Sequence, residues 1–281
     1  MRRALLAALL AAAGAVHAEN ARWYLQVDND VVWGTDRWYT SGVRLGRVQD
    51  GVEWGLLHEV YTPDAKRFEP GQPDRAPVGR LLAAYARHYR EPGVFQTLEI
   101  DLGVRGPGAV GKEATEEIHH LFPAPRVDWS RQLENRFDGQ VVAVRTQSFA
   151  AQWKLHLGGV LGTQVAFAHA GVEFRAGANA SLASPLLRFA ATPPFDAGET
   201  GWSLFAGASA RGVARNELLS RNYDPLGPGL RRERGIMRGV FGFARTQPWG
   251  ALEFSLAVDS REFAGQHSPH RFGSLSLHVA F

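Results

Sequence analysis

The sequence predicts an all-β fold, an antiparallel transmembrane β-barrel of about twelve strands with a short helix in an extracellular loop. Three observations support this prediction. Several segments of nine or ten residues alternate apolar and polar side chains, and their polar positions include carboxylates. A strand of that length spans a bilayer when lipid covers one face and a polar lumen lies behind the other. The chain also ends inside such a segment, on Phe281.

The alternation is sharpest in the segment 273–281, whose apolar residues are Leu275, Leu277, Val279 and Phe281. The segments 251–259 and 97–104 show the same period of two. Strands of a soluble β-sandwich alternate as well, but strand length, carboxylates on the polar face and the terminal aromatic residue favour the membrane barrel. A closed barrel also leaves no unpaired backbone edge in lipid, where each unsatisfied polar group costs several kcal/mol.

Turn signals rich in Gly, Pro and Asp separate the predicted strands. The predicted spans are 22–30, 38–48, 52–60, 78–90, 94–104, 136–148, 152–161, 165–180, 201–215, 234–247, 249–263 and 271–281. Short turns face the periplasm in such barrels and long loops face outward. The long connections 61–77, 105–135, 216–233 and 264–270 fit that scheme, whereas 181–200 is long where a short turn is expected.

Residues 1–18 carry two arginines, an apolar run and small residues before a cleavage position, the pattern of a secretory signal peptide. We therefore expect a mature barrel domain at 19–281 in the bacterial outer membrane. The chain has no cysteine, which excludes disulfide scaffolds and Cys-ligated zinc. Its formal charge of +3 falls to +1 without Arg2 and Arg3, so the sequence predicts no nucleic-acid partner.

Successive strands of the predicted barrel run in opposite directions, so every second connection lies at the same end. This strand parity brings distant polar residues to one rim. The first strand ends at Asn29 and Asp30, and the second begins close to Thr40. The loop that carries Lys66 and Arg67 lies at the same outer end, as does the loop 105–135 with His119 and His120. A site that acts on a lipid of the outer leaflet would have to lie at this rim.

Each of these stretches also has a purely structural explanation. Residues 27–42 fit a polar loop with interfacial aromatic residues. Lys66 and Arg67 fit a solvated pair or a pair that bridges lipopolysaccharide phosphates. The segment Lys112–Leu121 fits an amphipathic loop helix, on which His119 would be a surface residue. The sequence contains neither a Gly-x-Ser-x-Gly motif nor an HExxH motif, so nothing supports a nucleophilic serine or that zinc site.

A series of short motifs occurs in a fixed order. Its members are Asn29-Asp30, a TDRxYTxG element at 35–42, YTP at 61–63, Asp74-Arg75, a GVxGPxxxG-like run at 103–111, His119, a WxxQLEN-like segment at 129–135 and ARGVARNELL at 210–219. Each motif alone is a weak signal. Together they resemble the lipid A 3'-O-deacylase family of outer-membrane barrels, chiefly between residues 27 and 137.

The resemblance implies an enzyme that hydrolyses the ester of the 3'-acyloxyacyl chains of lipid A, by a mechanism similar to that of calcium-dependent phospholipases. Carried over by position, His119 is the general base and His120 its non-catalytic neighbour. Asn29 and Asp30 are the implied ligands of Ca²⁺, and Thr40 supports them. Because neighbouring strand residues point to opposite faces, Asn29 and Asp30 serve one site only if the chain bends there.

The resemblance also assigns partners. Lys66 and Arg67 are the implied contacts to the glucosamine phosphate of lipid A or to nearby polar groups. Separately, Phe281 at the end of the C-terminal strand resembles the signal by which the barrel assembly machinery recognises outer-membrane barrels. The chain departs from the family after Asp74-Arg75, where Ala76 replaces the start of a Pro-Tyr-Ala-Gly sequence, and this leaves the acyl-chain preference open. The alternatives are a non-catalytic barrel, either a small porin or a lipopolysaccharide-binding structural protein, and a phospholipase on the same scaffold.

Overall fold

The computed structural model describes residues 21–121, 126–178 and 200–280. In these residues twelve antiparallel strands form a closed barrel, in which each strand pairs with its sequence neighbours and the first pairs with the last. The strands are β1 (Arg22–Asn29), β2 (Trp38–Gln49), β3 (Val52–Thr62), β4 (Val78–Glu91), β5 (Val94–Arg105), β6 (Arg136–Ala150), β7 (Trp153–Gly162), β8 (Val165–Gly177), β9 (Gly201–Asn216), β10 (Gly235–Gln247), β11 (Gly250–Asp259) and β12 (His270–Ala280). One α-helix, α1 (Gly111–Leu121), lies in the loop between β5 and β6.

The predicted fold class is therefore confirmed, and the strand bounds differ from the predicted spans by at most a few residues, most of all in β11. β11 ends at Asp259 rather than at residue 263, and Phe263 is fully buried in the chain that follows it. The predicted signal peptide 1–18 and most of the connection 181–200 lie outside the described residues, as does Phe281. Among the described helices, none is long and apolar enough to cross a bilayer.

The two faces of β5 show which side of the barrel meets lipid. Leu98, Ile100 and Leu102 are 47%, 45% and 54% exposed. Between them on the same strand, Glu99 and Asp101 are 0% exposed. A water-soluble protein has apolar side chains inside and carboxylates outside, and β5 shows the reverse arrangement. Such a strand has its outer face in hydrocarbon.

Paired charges fill the inside of the barrel. Arg80 is fully buried, with Nη1 2.5 Å from Glu59 Oε2 and Nε 2.7 Å from Asp138 Oδ2. Similar buried pairs are Arg44–Glu53, Arg175–Glu173, Arg175–Glu253, Arg211–Asp259 and Arg238–Asp259. A charge removed from water is tolerated when an opposite charge and hydrogen bonds replace its hydration. The lumen along the described strands is therefore packed with mutually neutralising side chains.

This packing predicts that the barrel does not conduct ions. The purified protein in a planar lipid bilayer is expected to show no stepwise conductance, because Arg80, Glu59 and Asp138 inside the barrel are 0% exposed and leave no surface there for water or ions. An open porin measured in the same bilayers is the positive control. Steady conductance steps in the wild-type protein would contradict the closed lumen and would favour the porin alternative.

The outer mouth of the barrel is covered by the chain that follows β3. Trp38, at the start of β2, has φ +60° and is 1% exposed. Its indole N–H donates a hydrogen bond of 3.2 Å to Asp74 Oδ1, and its ring packs edge-on against Phe263. Asp74 Oδ2 also accepts a 2.8 Å hydrogen bond from the backbone N–H of Asp64. These contacts hold residues 62–78 over the mouth and fix the outer ends of β2 and β3.

Candidate active site

The chain bends where β1 ends. Asn29 is the last strand residue, and Asp30, with φ −90° and ψ −4°, begins a single 3-10 turn at Val31–Trp33. Asn29 Oδ1 accepts a 2.7 Å hydrogen bond from the backbone N–H of Val31, as expected for an asparagine that starts a turn. The bend that would allow Asn29 and Asp30 to serve one site is therefore present.

Asp30 holds the first outer loop, residues 30–37, in a closed shape. Its Oδ2 accepts hydrogen bonds from Thr35 Oγ1 at 2.8 Å and from the backbone N–H of Arg37 at 2.9 Å. The side chain is almost fully buried, and this burial raises the pKa of Asp30 to about 8, although the two hydrogen bonds act in the opposite direction. The loop residue between these two donors, Asp36, is consequently fixed in position.

The helix α1 packs on the outside of the barrel wall. Arg80 points into the lumen, so its neighbour Gly79 faces outward. A Cβ atom built on Gly111 would lie 2.9 Å from the Cα atom of Gly79, which means that strand and helix backbones touch here. His58 Nε2 lies 2.8 Å from the carbonyl oxygen of Ala109, just before the helix. These two contacts fix the start of α1 against β3 and β4.

The last turn of α1 places His119 against the first outer loop. His119 Nε2 lies 3.1 Å from Asp36 Oδ2, and the two side chains are 19% and 12% exposed. Burial raises the pKa of Asp36, while the nearby His119 and Lys66 oppose that shift. A histidine that donates Nε2–H to a carboxylate keeps Nδ1 free to accept a proton. His120, the next residue, is exposed.

Two further predicted site residues, Lys66 and Thr40, contact the first outer loop, whereas the side chain of Arg67 is exposed. Lys66 Nζ donates a 3.4 Å hydrogen bond to the carbonyl oxygen of Gly34 in the first outer loop. The carbonyl oxygen of Thr40 accepts a 3.3 Å hydrogen bond from the backbone N–H of Asp30. The side chain of Arg67 is exposed, and its backbone N–H donates to the carbonyl oxygen of Asp64. Segments up to ninety residues apart thus meet at one outer rim, as strand parity predicted.

Asp36 is the residue of this cluster that the sequence did not single out. It lies in the TDRxYTxG element, between Thr35 and Arg37, and so the motif contained it. No period marks the direction of a side chain in a loop, and an aspartate is common in any turn. Its place beside the site becomes visible only through the 3.1 Å contact with His119, on a helix 83 positions later in the chain.

Comparison with known proteins identifies the family of the chain. The family model described as "Outer membrane protein LpxR" matches residues 47–281. The chain belongs to this family. The match confirms the resemblance to the lipid A 3'-O-deacylase family that the motifs carry. It includes Lys66 and His119, while Asn29, Asp30 and Asp36 lie before its first residue.

Solved structures support the fold of this LpxR-family chain. LpxR from Salmonella typhimurium is 19% identical, with a TM-score of 0.76 over 92% of this chain and 100% of that one. The CymD monoaromatic hydrocarbon channel is 13% identical, with a TM-score of 0.41 over 94% and 89% of the two chains. That second likeness is too distant to carry an inference about function. No curated protein sequence matches the chain.

Other motif residues of the LpxR-family chain have structural roles. Arg75 is fully buried, lies 3.0 Å from Glu262 and stacks over the ring of Tyr61. Asn135 Oδ1 accepts a 2.7 Å hydrogen bond from the backbone N–H of Gly108, which closes the loop around α1. Asn216 caps the turn after β9 by accepting from the N–H of Leu218. These contacts stabilise the outer loops and turns in which the motif residues lie.

Proposed function

We propose that the protein is a calcium-dependent hydrolase that removes the 3'-linked acyloxyacyl chains of lipid A in the outer leaflet. The observation that carries this proposal is the His119–Asp36 pair, held 3.1 Å apart on the outside of the barrel wall. Membership of the LpxR family supports the substrate class. A site on the outer face of a membrane barrel meets a lipid headgroup directly, because no lumen separates the two.

His119 acts as the general base in this proposal. Its Nδ1 takes a proton from the attacking water while Nε2–H remains bonded to Asp36, whose carboxylate stabilises the imidazolium that forms. The water oxygen adds to the ester carbonyl, and the proton then passes from Nδ1 to the departing alkoxide oxygen. Proton transfer by a positioned imidazole contributes roughly 10²- to 10⁴-fold to a rate.

Asn29 and Asp30 are the residues that would hold Ca²⁺, with Thr40 as their support. The described residues contain no group of three or more His, Cys, Asp or Glu side chains arranged for a metal ion. The donors at the bend nevertheless suit calcium, since they are an amide and a carboxyl oxygen. Burial raises the pKa of Asp30 to about 8, so the carboxyl would have to lose its proton to bind the ion. Calcium takes about six to eight oxygen ligands, so backbone, water and substrate oxygens must complete the set. When bound, the ion would polarise the ester carbonyl and stabilise the oxyanion.

Lys66 and Arg67 are the proposed contacts to the phosphate of the glucosamine backbone. Both side chains are exposed at the outer rim, and Lys66 lies next to the first outer loop through its contact with Gly34. We also propose that the barrel assembly machinery recognises the C-terminal strand β12. The register between β12 and β1, from Arg22–Ala280 to Asn29–Gly273, makes this strand the one that closes the barrel.

The experiment that tests the proposed function compares two lipids. Purified protein in detergent micelles is incubated with hexa-acylated lipid A and, separately, with phosphatidylethanolamine, each with added calcium. We expect lipid A to lose the mass of its 3'-acyloxyacyl unit and phosphatidylethanolamine to remain intact. Cleavage of phosphatidylethanolamine alone would replace the proposal with the phospholipase alternative, and no cleavage of either lipid would favour a non-catalytic barrel.

The close contact between Gly79 and Gly111 predicts a large effect of a remote substitution. Gly111→Val must push α1 away from the wall, because a Cβ atom there already lies 2.9 Å from the Gly79 backbone. A displacement of about 1 Å is expected to lower lipid A hydrolysis on the order of 10²-fold. Lys112→Val, at the exposed next position, is the control and should retain the wild-type rate. A wild-type rate in Gly111→Val would show that the position of α1 does not matter.

A further inference from the structure

The 3-10 turn after Asp30 folds outward across the barrel wall. Val32 covers the outer face of β12 at Gly273, where a Cβ atom would lie 2.7 Å from Val32 Cγ2. The Arg271 guanidinium lies 5.4 Å from the centre of the Trp33 ring. Val32 and Trp33 remain 52% and 38% exposed. The turn therefore presents apolar side chains to the outer leaflet, three residues from the bend at the candidate active site.

Trp33 forms one end of a groove on the lipid-facing wall. The groove has a volume of about 570 Å³ and runs across the outer faces of β7–β11. Its lining includes Val258, next to the outer end of β11, and Trp153, the first residue at the inner end of β7. It therefore leads from the outer rim into the depth of the hydrocarbon layer. We name it the outer-wall groove.

The strand register explains why the wall is hollow here. Gly239 pairs with Ala208 and with Val258, and Ala206 lies between Phe174 and Phe241 in the next outward-facing row. Small side chains in the middle strands thus form a floor, and large apolar side chains on both sides form the walls. A Cβ atom built on Gly239 would meet nothing within 4 Å, so the position is open to the groove.

We propose that the outer-wall groove binds one acyl chain of the lipid whose ester lies at His119. This inference rests on the proposed function and names where a chain of that substrate lies. The groove lies in hydrocarbon and is apolar, so a saturated chain is the occupant whose chemistry it fits. Its end at Trp33 belongs to the first outer loop, the same loop whose Asp36 contacts His119, and so the groove begins at the loop that borders the site. A chain held there would fix the headgroup relative to His119.

Photolabelling tests the groove without requiring hydrolysis. The full-length protein is reconstituted with lipid A that carries a diazirine on an acyl chain, and separately with phosphatidylethanolamine that carries the same diazirine chain. We expect lipid A to label the groove side chains Phe241 and Trp153 in preference to the rest of the outer wall. Phosphatidylethanolamine should label the whole wall without that preference, because it reports ordinary lipid contact.

Gly239→Leu fills the floor and should lower the labelling preference for lipid A about tenfold, since excluding about two methylene groups has that effect on an equilibrium. Gly212→Leu is the matched control, because Gly212 also faces outward with nothing within 4 Å but does not line the groove. Equal labelling by both lipids, or no effect of Gly239→Leu, would overturn the proposal. Preferred labelling by lipid A in a protein that hydrolyses no ester would keep the groove and refute the proposed function.

Discussion

His119→Ala is expected to lower the rate of lipid A deacylation by about 10²- to 10⁴-fold. The imidazole is the group that takes the proton from water, and its orientation is set by the 3.1 Å contact with Asp36. Removal of the ring leaves the barrel intact, because the side chain lies on a loop helix outside the wall. The measurement is the initial rate with purified variants, with product detected by mass spectrometry.

His120→Ala is the matched control for this experiment. His120 follows His119 on the same helix, but its side chain is exposed. Its rate should stay within a factor of about two of wild type, as expected for a surface substitution that disturbs no contact. Equal losses in both variants would mean that the effect comes from the helix rather than from the base.

Asp30→Asn is expected to remove the calcium response and to lower activity about 10²- to 10³-fold, the scale on which the loss of oxyanion stabilisation acts. Asparagine keeps the size of the side chain and loses the negative charge. Chelation of calcium from the wild-type protein should have the same effect and should be reversed by added Ca²⁺. Asp128→Asn, an exposed aspartate at the same rim, should keep the wild-type calcium response.

The calcium requirement should also depend on pH. Burial raises the pKa of Asp30 to about 8, so below pH 8 a proton must leave before the carboxylate can bind a cation. The calcium concentration for half-maximal activity is therefore expected to rise about tenfold for each unit of pH below 8. A half-maximal concentration that stays constant between pH 6 and pH 8 would contradict a role for Asp30 as a ligand.

The barrel could be predicted from the sequence because its physical signal is local. Alternation in segments such as 97–104 records which face meets lipid, and the loop helix at Lys112–Leu121 has its own apolar stripe. The closed barrel follows from the need to pair every strand edge in lipid. Strand parity then places Asp30, Lys66 and His119 at one rim, and this step does not require the register between neighbouring strands.

The rest of the site depends on contacts that no local pattern records. The position of Asp36 is fixed by the hydrogen bonds that Thr35 and Arg37 donate to Asp30. Asp36 contacts His119 only because α1 packs against the barrel wall beside it. The outer-wall groove depends on the register between strands, which aligns Gly239 with Ala208. The sequence shows both small residues, but it does not show that they are neighbours.

The most direct test of the proposed function is the mass spectrum of lipid A from cells that express the wild-type protein or His119→Ala, with calcium in the medium. The proposal predicts that wild-type cells contain lipid A lacking the 3'-acyloxyacyl unit and that His119→Ala cells contain the fully acylated form. Both proteins must be present in the outer membrane in equal amounts. Deacylated lipid A in the His119→Ala cells, or intact lipid A in the wild-type cells, would contradict it.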